Sequence, residues 1–168
     1  AHNTAIGMGA MGSVPASQAV TGAVAIGSGA LNGSASSNTN IGYTIAIGNN
    51  AAYSLTTGGG NIAIGHEALK VHTTGTNNIA IGRYAMYNTD AGSNSLGSSN
   101  NLFMGYNSGS GTWADTASNY NIGIGTNTLD SALDGASGNI TIGHQSLSAL
   151  TTGDYNLTLG YNAGLALT

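Results

Sequence analysis

Nine times along this chain a short apolar run ends in glycine, and this recurrence limits the possible folds more than any other feature. Aligned on that glycine, the runs are NTAIG ending at Gly7, AVAIG at Gly27, TIAIG at Gly48, and NIAIG at Gly65 and again at Gly82. NLFMG then ends at Gly105, NIGIG at Gly125, NITIG at Gly143 and NLTLG at Gly160. Successive glycines are 20, 21, 17, 17, 23, 20, 18 and 17 residues apart. Self-similarity at such a period is the signature of stacked repeats. No linker or shift of composition interrupts it, so residues 1–168 read as a single repeat domain.

Each column of the repeat carries its own physical meaning. One residue before the glycine stand Ile6, Ile26, Ile47, Ile64, Ile81, Met104, Ile124, Ile142 and Leu159. Three before it the residue is again apolar or β-branched, from Thr4 and Val24 to Ile140 and Leu157. Alternation with period two and β-branched enrichment predict a short strand with one buried face. The large column is the expected core. The column between is small: Ala5, Ala25, Ala46, Ala63 and Ala80, then Gly123, Thr141 and Thr158, with Phe103 the exception. Small side chains on the second face suggest close approach of another surface, so these alanines are the expected interchain face. The plainer reading is a flat Ala/Thr face open to water.

Asn stands four residues before the glycine in seven units: Asn3, Asn61, Asn78, Asn101, Asn121, Asn139 and Asn156. Stacked amides can hydrogen-bond along a repeat axis as a ladder; Asn also tolerates the turn that enters a strand. After the glycine come two variable residues, then a small one and usually an apolar one, such as Ala68-Leu69 or Ala85-Met86. This pair reads as a second short strand or a turn returning to the core. The connectors that follow vary in length and often end in Thr-Thr-Gly, as loops on one edge of a solenoid should.

One unit cannot bury its apolar pair alone, but a stack about 4.8 Å per coil can. The expected fold is therefore all-β, a repetitive β-solenoid of about nine coils. It would be a rod on the order of 40 Å long at that spacing.

The Asn-Ile-Ala-Ile-Gly-x-x-Ala-Leu unit with its Thr-Thr-Gly turns resembles the left-handed parallel β-roll repeats of trimeric autotransporter adhesin heads. It is still more similar to related repeats in bacteriophage tail fibres. The similarity runs through essentially the whole chain. It implies a side-by-side homotrimer, a stiff shaft or head, and attachment to a cell surface. The units here, 17 to 23 residues long, are longer and less regular than those of adhesin heads. No coiled-coil stalk or anchor is recognisable, which places the tail-fibre reading first.

Composition narrows the partners. Charged residues are 5% of the chain, against about 25% in ordinary soluble proteins. Lys70 and Arg83 are the only cations and the net charge is −4, so nothing neutralises a phosphate backbone and nucleic-acid binding is not expected. No apolar run approaches the ~20 residues of a spanning helix, so no membrane insertion is expected either. With no cysteine, neither disulfides nor thiolate metal sites can form.

Catalytic and cofactor motifs fail in context. Gly7-Met8-Gly9-Ala10-Met11-Gly12 matches GxGxxG, but its glycines belong to the repeat and Pro15 stands where a helix should open. His66-Glu67 begins like a zinc-protease motif, yet Lys70 occupies the second histidine's place. The acids Glu67, Asp90, Asp115, Asp130, Asp134 and Asp154 show no spacing that marks a glycosidase pair. No catalytic residue, cofactor or metal is assigned, and the chain is not expected to be an enzyme.

The segment YNSGSGTWADTASNY, residues 106–120, holds the single tryptophan. An exposed ring beside an acid and amides could stack on a sugar. Trp113, Asp115, Tyr106 and Tyr120 are therefore the candidate receptor contacts; the competing reading has Trp113 sealing the solenoid. The expected function is a structural and adhesive fibre segment, extracellular or on a virion, binding itself as a homotrimer and a host-surface glycan or protein. A bacterial adhesin head on the cell surface, a self-assembling filament and a polysaccharide-degrading spike are the alternatives.

Overall fold

The computed structural model describes residues 2–14, 20–33, 40–89 and 97–168; Pro15 and Asp90 lie outside them. Each repeat contributes one strand of three residues. These are β1 (Thr4–Ile6), β2 (Val24–Ile26), β3 (Ile45–Ile47), β4 (Ile62–Ile64), β5 (Ile79–Ile81), β6 (Leu102–Met104), β7 (Ile122–Ile124), β8 (Ile140–Ile142) and β9 (Leu157–Leu159). They form one parallel sheet in chain order. The register keeps equivalent positions together, so Ala25 faces Ala46 and Ile26 faces Ile47. The architecture is an all-β solenoid.

The alternation of faces is as the sequence implies, but inside and outside are exchanged. Ala25, Ala46, Ala63 and Ala80 are completely buried; Ala5, in the terminal strand, is exposed. None of the expected core residues Ile6, Ile26, Ile47, Ile64, Ile81, Met104, Ile124, Ile142 and Leu159 is buried. The reason is volume. Leu31, Leu69, Met86, Leu129 and Leu147 from the turn after the glycine enter the coil, joined by Leu55, Trp113, Leu133 and Leu150 from the connectors. With that much apolar volume arriving from the other walls, the strand has room inside for little more than a methyl group. Its isoleucines point outward.

The turn that delivers those side chains is built from backbone conformations that most residues avoid. Gly65 has φ +137, and a Cβ there would lie 2.5 Å from the carbonyl oxygen of Gly82 in the next coil. Two and four residues later, Glu67 and Leu69 are left-handed, with φ of 56 and 54. Each such residue costs about 1–2 kcal/mol, and the conformation is offset by bonds between coils. The Glu67 N–H donates to Asn49 O (2.9 Å) in the coil before, and the Leu69 N–H donates to Ala85 O (2.9 Å) in the coil after. The segment after the glycine is thus a turn and not a second strand.

The asparagine ladder forms. From Asn61 through Asn78, Asn101, Asn121 and Asn139 to Asn156, each Oδ1 accepts both the main-chain N–H and the Nδ2 of the next Asn, at 2.9–3.3 Å. Their Nδ2 groups also donate to the carbonyls of Gly75, Ser98, Ser118, Ala136 and Gly153. Units with Ala23 or Thr44 in place of Asn carry buried Val20 and Ile41 three residues earlier, where other units have small residues. Amide ladder and aliphatic packing are alternative fillings of the same corner.

Phe103 is accommodated by compensation. Its strand partner in the next coil is Gly123, and Gly109 stands where six other units place Leu or Met, with Ala52 and Gly164 in the remaining two. A Cβ on either glycine would come within 2.5–2.7 Å of the Phe103 ring.

Candidate functional site: an apolar face and an aromatic pocket

Because the strands turn their isoleucines outward, the sheet presents two parallel apolar columns to solvent. One runs from Val24 to Leu157 and the other from Ile6 to Leu159, half-buried along the middle and more open at the ends. Ile6 is 58% exposed, Leu157 75% and Leu159 76%. The columns are about 7 Å apart and the sheet about 38 Å long at standard strand spacings. The middle of the face owes its partial burial to its own neighbours, since each isoleucine packs on its equivalent in the adjacent strand.

The four candidate receptor contacts are not brought together. Trp113 is fully buried, edge-on to Phe103 with ring centroids 5.8 Å apart, so it seals the core and cannot stack on a ligand. Asp115, Tyr106 and Tyr120 are exposed. Tyr106 leaves β6 just after its glycine, while Tyr120 sits at the turn entering β7, the opposite end of a strand. His72, assigned to a connector by sequence, is also buried; its Nδ1 lies 2.9 Å from Thr89 Oγ1. The carboxylates of Asp134 and Asp154 accept main-chain N–H bonds from Thr116 (2.9 Å) and Ser137 (2.7 Å), and so hold connectors. Among the described residues no group of three or more His, Asp or Glu is arranged to hold a metal ion. No helix among them is long and apolar enough to cross a membrane.

A different cluster stands on the turns of three consecutive units. The residues one, two and five places after each glycine project outward there: His66, Glu67 and Lys70, then Arg83, Tyr84 and Tyr87, then Tyr106, Asn107 and Ser110. Tyr84 is the hub. Its ring meets His66 (5.5 Å), Tyr87 (5.4 Å) and Tyr106 (6.1 Å), all edge-on. The Arg83 guanidinium lies 4.7 Å from the Tyr84 ring centre and donates to the Tyr84 hydroxyl at 3.0 Å. Lys70 Nζ donates to Glu67 Oε1 at 2.7 Å and lies 5.4 Å from the Tyr87 ring centre.

Electrostatically the cluster is closed on itself. The hydrogen bond from Lys70 holds the Glu67 carboxyl below the usual glutamate range, and the same bond raises the Lys70 ammonium above its usual value. Glu67, Tyr84, Tyr87, Asn107 and Ser110 line an open pocket of about 250 Å³. The sequence contained this site as three units' worth of the same columns, but its residues are up to 43 positions apart (67 to 110) and become neighbours only through stacking.

No protein-family model matches this chain, and comparisons with curated proteins and with solved structures give no match.

Proposed function

We propose that this chain is a subunit of a homotrimeric β-solenoid fibre, of the tail-fibre kind, whose role is structural and adhesive at a cell surface. The observation that supports association is the apolar sheet face. Two columns about 7 Å apart along about 38 Å make one contiguous apolar patch of about 300 Å², comparable to the largest patch on a typical monomer, which is often functional. Full burial of an exposed isoleucine is worth about 1.5–3 kcal/mol, completing the burial of these half-buried ones is worth a fraction of that each, and straight columns on one chain match straight columns on its copies. The expected interface accordingly moves from the alanines to the isoleucines. The number three, and the attachment role, rest on the sequence resemblance to fibre and adhesin repeats. Polarity supplied by Asn, Thr and Ser in place of charge fits a shaft whose outer surface stays hydrated without binding polyelectrolytes.

Sedimentation equilibrium tests the assembly. A species of three times the 16.5 kDa chain mass is expected, and it should dissociate when Ile62 and Ile79 are both replaced by Lys. A monodisperse monomer for the unaltered chain overturns the proposal. For the adhesive role, labelled protein should be retained on whole bacterial cells of at least one type in a diverse panel. Retention on none leaves a shaft without attachment.

A further inference from the structure

The scaffold does not explain the aromatic cluster. The turn needs no rings at these outward positions: the second unit has Ser28, Gly29 and Asn32 there, and the seventh has Thr126, Asn127 and Asp130. Tyr84 in particular adopts a left-handed φ of 61, at a column otherwise filled by Gly, Asn, Glu and Gln. A bulky aromatic residue is unusual in that conformation. The left-handed φ itself recurs in the other copies of the turn, as at Asn50, Glu67 and Asn107, and at Tyr43, Tyr120 and Tyr155, so what sets this unit apart is the ring it carries.

The chemistry of the lining selects a ligand class. Tyr84 and Tyr87 stand at 78° to one another, making an apolar corner open to solvent. Beside the two rings the pocket is lined by the polar residues Glu67, Asn107 and Ser110. A carboxylate's two oxygens offer about four acceptor sites, and Lys70 and the Asn50 side chain together occupy only part of that capacity. The volume of about 250 Å³ is below the ~300–1,000 Å³ of drug-sized sites, so the occupant is small. An apolar corner with hydroxyl acceptors and donors around it matches a pyranose, with its C–H face on the rings and its hydroxyls on the rim. Glu67 is held ionised in the pocket lining, Lys70 is paired with it, and Arg83 is engaged by the Tyr84 ring and hydroxyl outside that lining, which disfavours an anionic sugar.

We infer that the pocket formed by Glu67, Tyr84, Tyr87, Asn107 and Ser110 binds a neutral hexopyranose unit of a surface glycan. This names a ligand for the adhesive reading and depends on that reading for its biological use. A single small site of this kind binds weakly, with a Kd on the order of 1 mM, and repetition on a multimer raises the avidity.

The test is titration of the intact protein, followed by NMR, with methyl α-D-glucopyranoside, methyl α-D-mannopyranoside, methyl β-D-galactopyranoside and glucuronate. At least one neutral glycoside should saturate. Tyr84→Ala and Tyr87→Ala should each weaken it at least tenfold, with circular dichroism and sedimentation unchanged, while Tyr120→Ala leaves it intact. Failure of all three neutral glycosides, binding of glucuronate alone, or binding that survives both pocket substitutions overturns the inference. A monomer that binds the glycoside rejects the fibre and keeps the pocket; a trimer that binds none does the reverse.

Discussion

The side chain of Asn78 holds Asn101 through one oxygen: Asn78 Oδ1 accepts the main-chain N–H and the Nδ2 of Asn101, both at 3.1 Å. Asn101 repeats this toward Asn121 and also donates to Ser118 O at 3.0 Å. Each buried amide thus serves as partner for the coils on both sides.

Replacing Asn101 by Ala should therefore cost about 2–6 kcal/mol, because it strands the Asn121 N–H and the Ser118 carbonyl in the core at about 1–3 kcal/mol each. Asn156→Ala, at the partly buried end of the ladder, should cost less than half as much. Urea unfolding of the two variants measures the difference, and equal losses would mean that the ladder contributes no interior cooperativity.

Gly65 and Gly160 share the same backbone conformation, with φ of 137 and 129, but differ in surroundings. A Cβ on Gly65 meets the Gly82 carbonyl, whereas one on Gly160 meets nothing within 4 Å. Gly160→Ala should lose only the conformational term, about 1–3 kcal/mol. Gly65→Ala should add the clash and lower the thermal midpoint much further, or prevent folding. Similar midpoints would show that stacking closeness is not what fixes the glycine column.

Phe103 and Gly109 exchange volume. Gly109→Leu restores the residue common to this column but drives it into the Phe103 ring, an overpacking cost of about 1–3 kcal/mol or more. Phe103→Ala alone leaves a cavity worth about 3–5 kcal/mol. The double variant should be more stable than the sum of the two single losses by at least about 1 kcal/mol. A double-mutant cycle reads this directly, and strict additivity would exclude the coupling.

Asp130 is half-buried, and desolvation raises its carboxyl above the usual aspartate range, only partly countered by a hydrogen bond from its own backbone and by His144. A raised carboxyl pKa means that the ionised form is penalised in the folded state. The penalty is complete above the folded value and vanishes below the unfolded value of about 3.9. Asp130→Asn should consequently raise the thermal midpoint at pH 7 and give no gain near pH 3. A gain that is equal at both values would place the effect elsewhere.

By itself the sequence determined the units, the strand positions, the glycine corner and the amide ladder. Each depends on local pattern: period-two alternation sets a strand, Gly65 is needed for φ +137, and Asn at one column aligns with Asn at the next whenever coils stack in register. Alternation distinguishes two faces but does not say which one encloses the axis. That was decided by side chains arriving from elsewhere in the coil, Leu69 and Met86 from the turn and Leu55, Trp113 and Leu133 from the connectors, which fill the interior and leave the strand only its alanines inside. The same closure took Trp113 out of reach of any ligand. Stacking, in turn, joined Glu67, Tyr84, Tyr87, Asn107 and Ser110 into one pocket. Volume and stacking are properties of the closed coil, and neither is visible along a single unit.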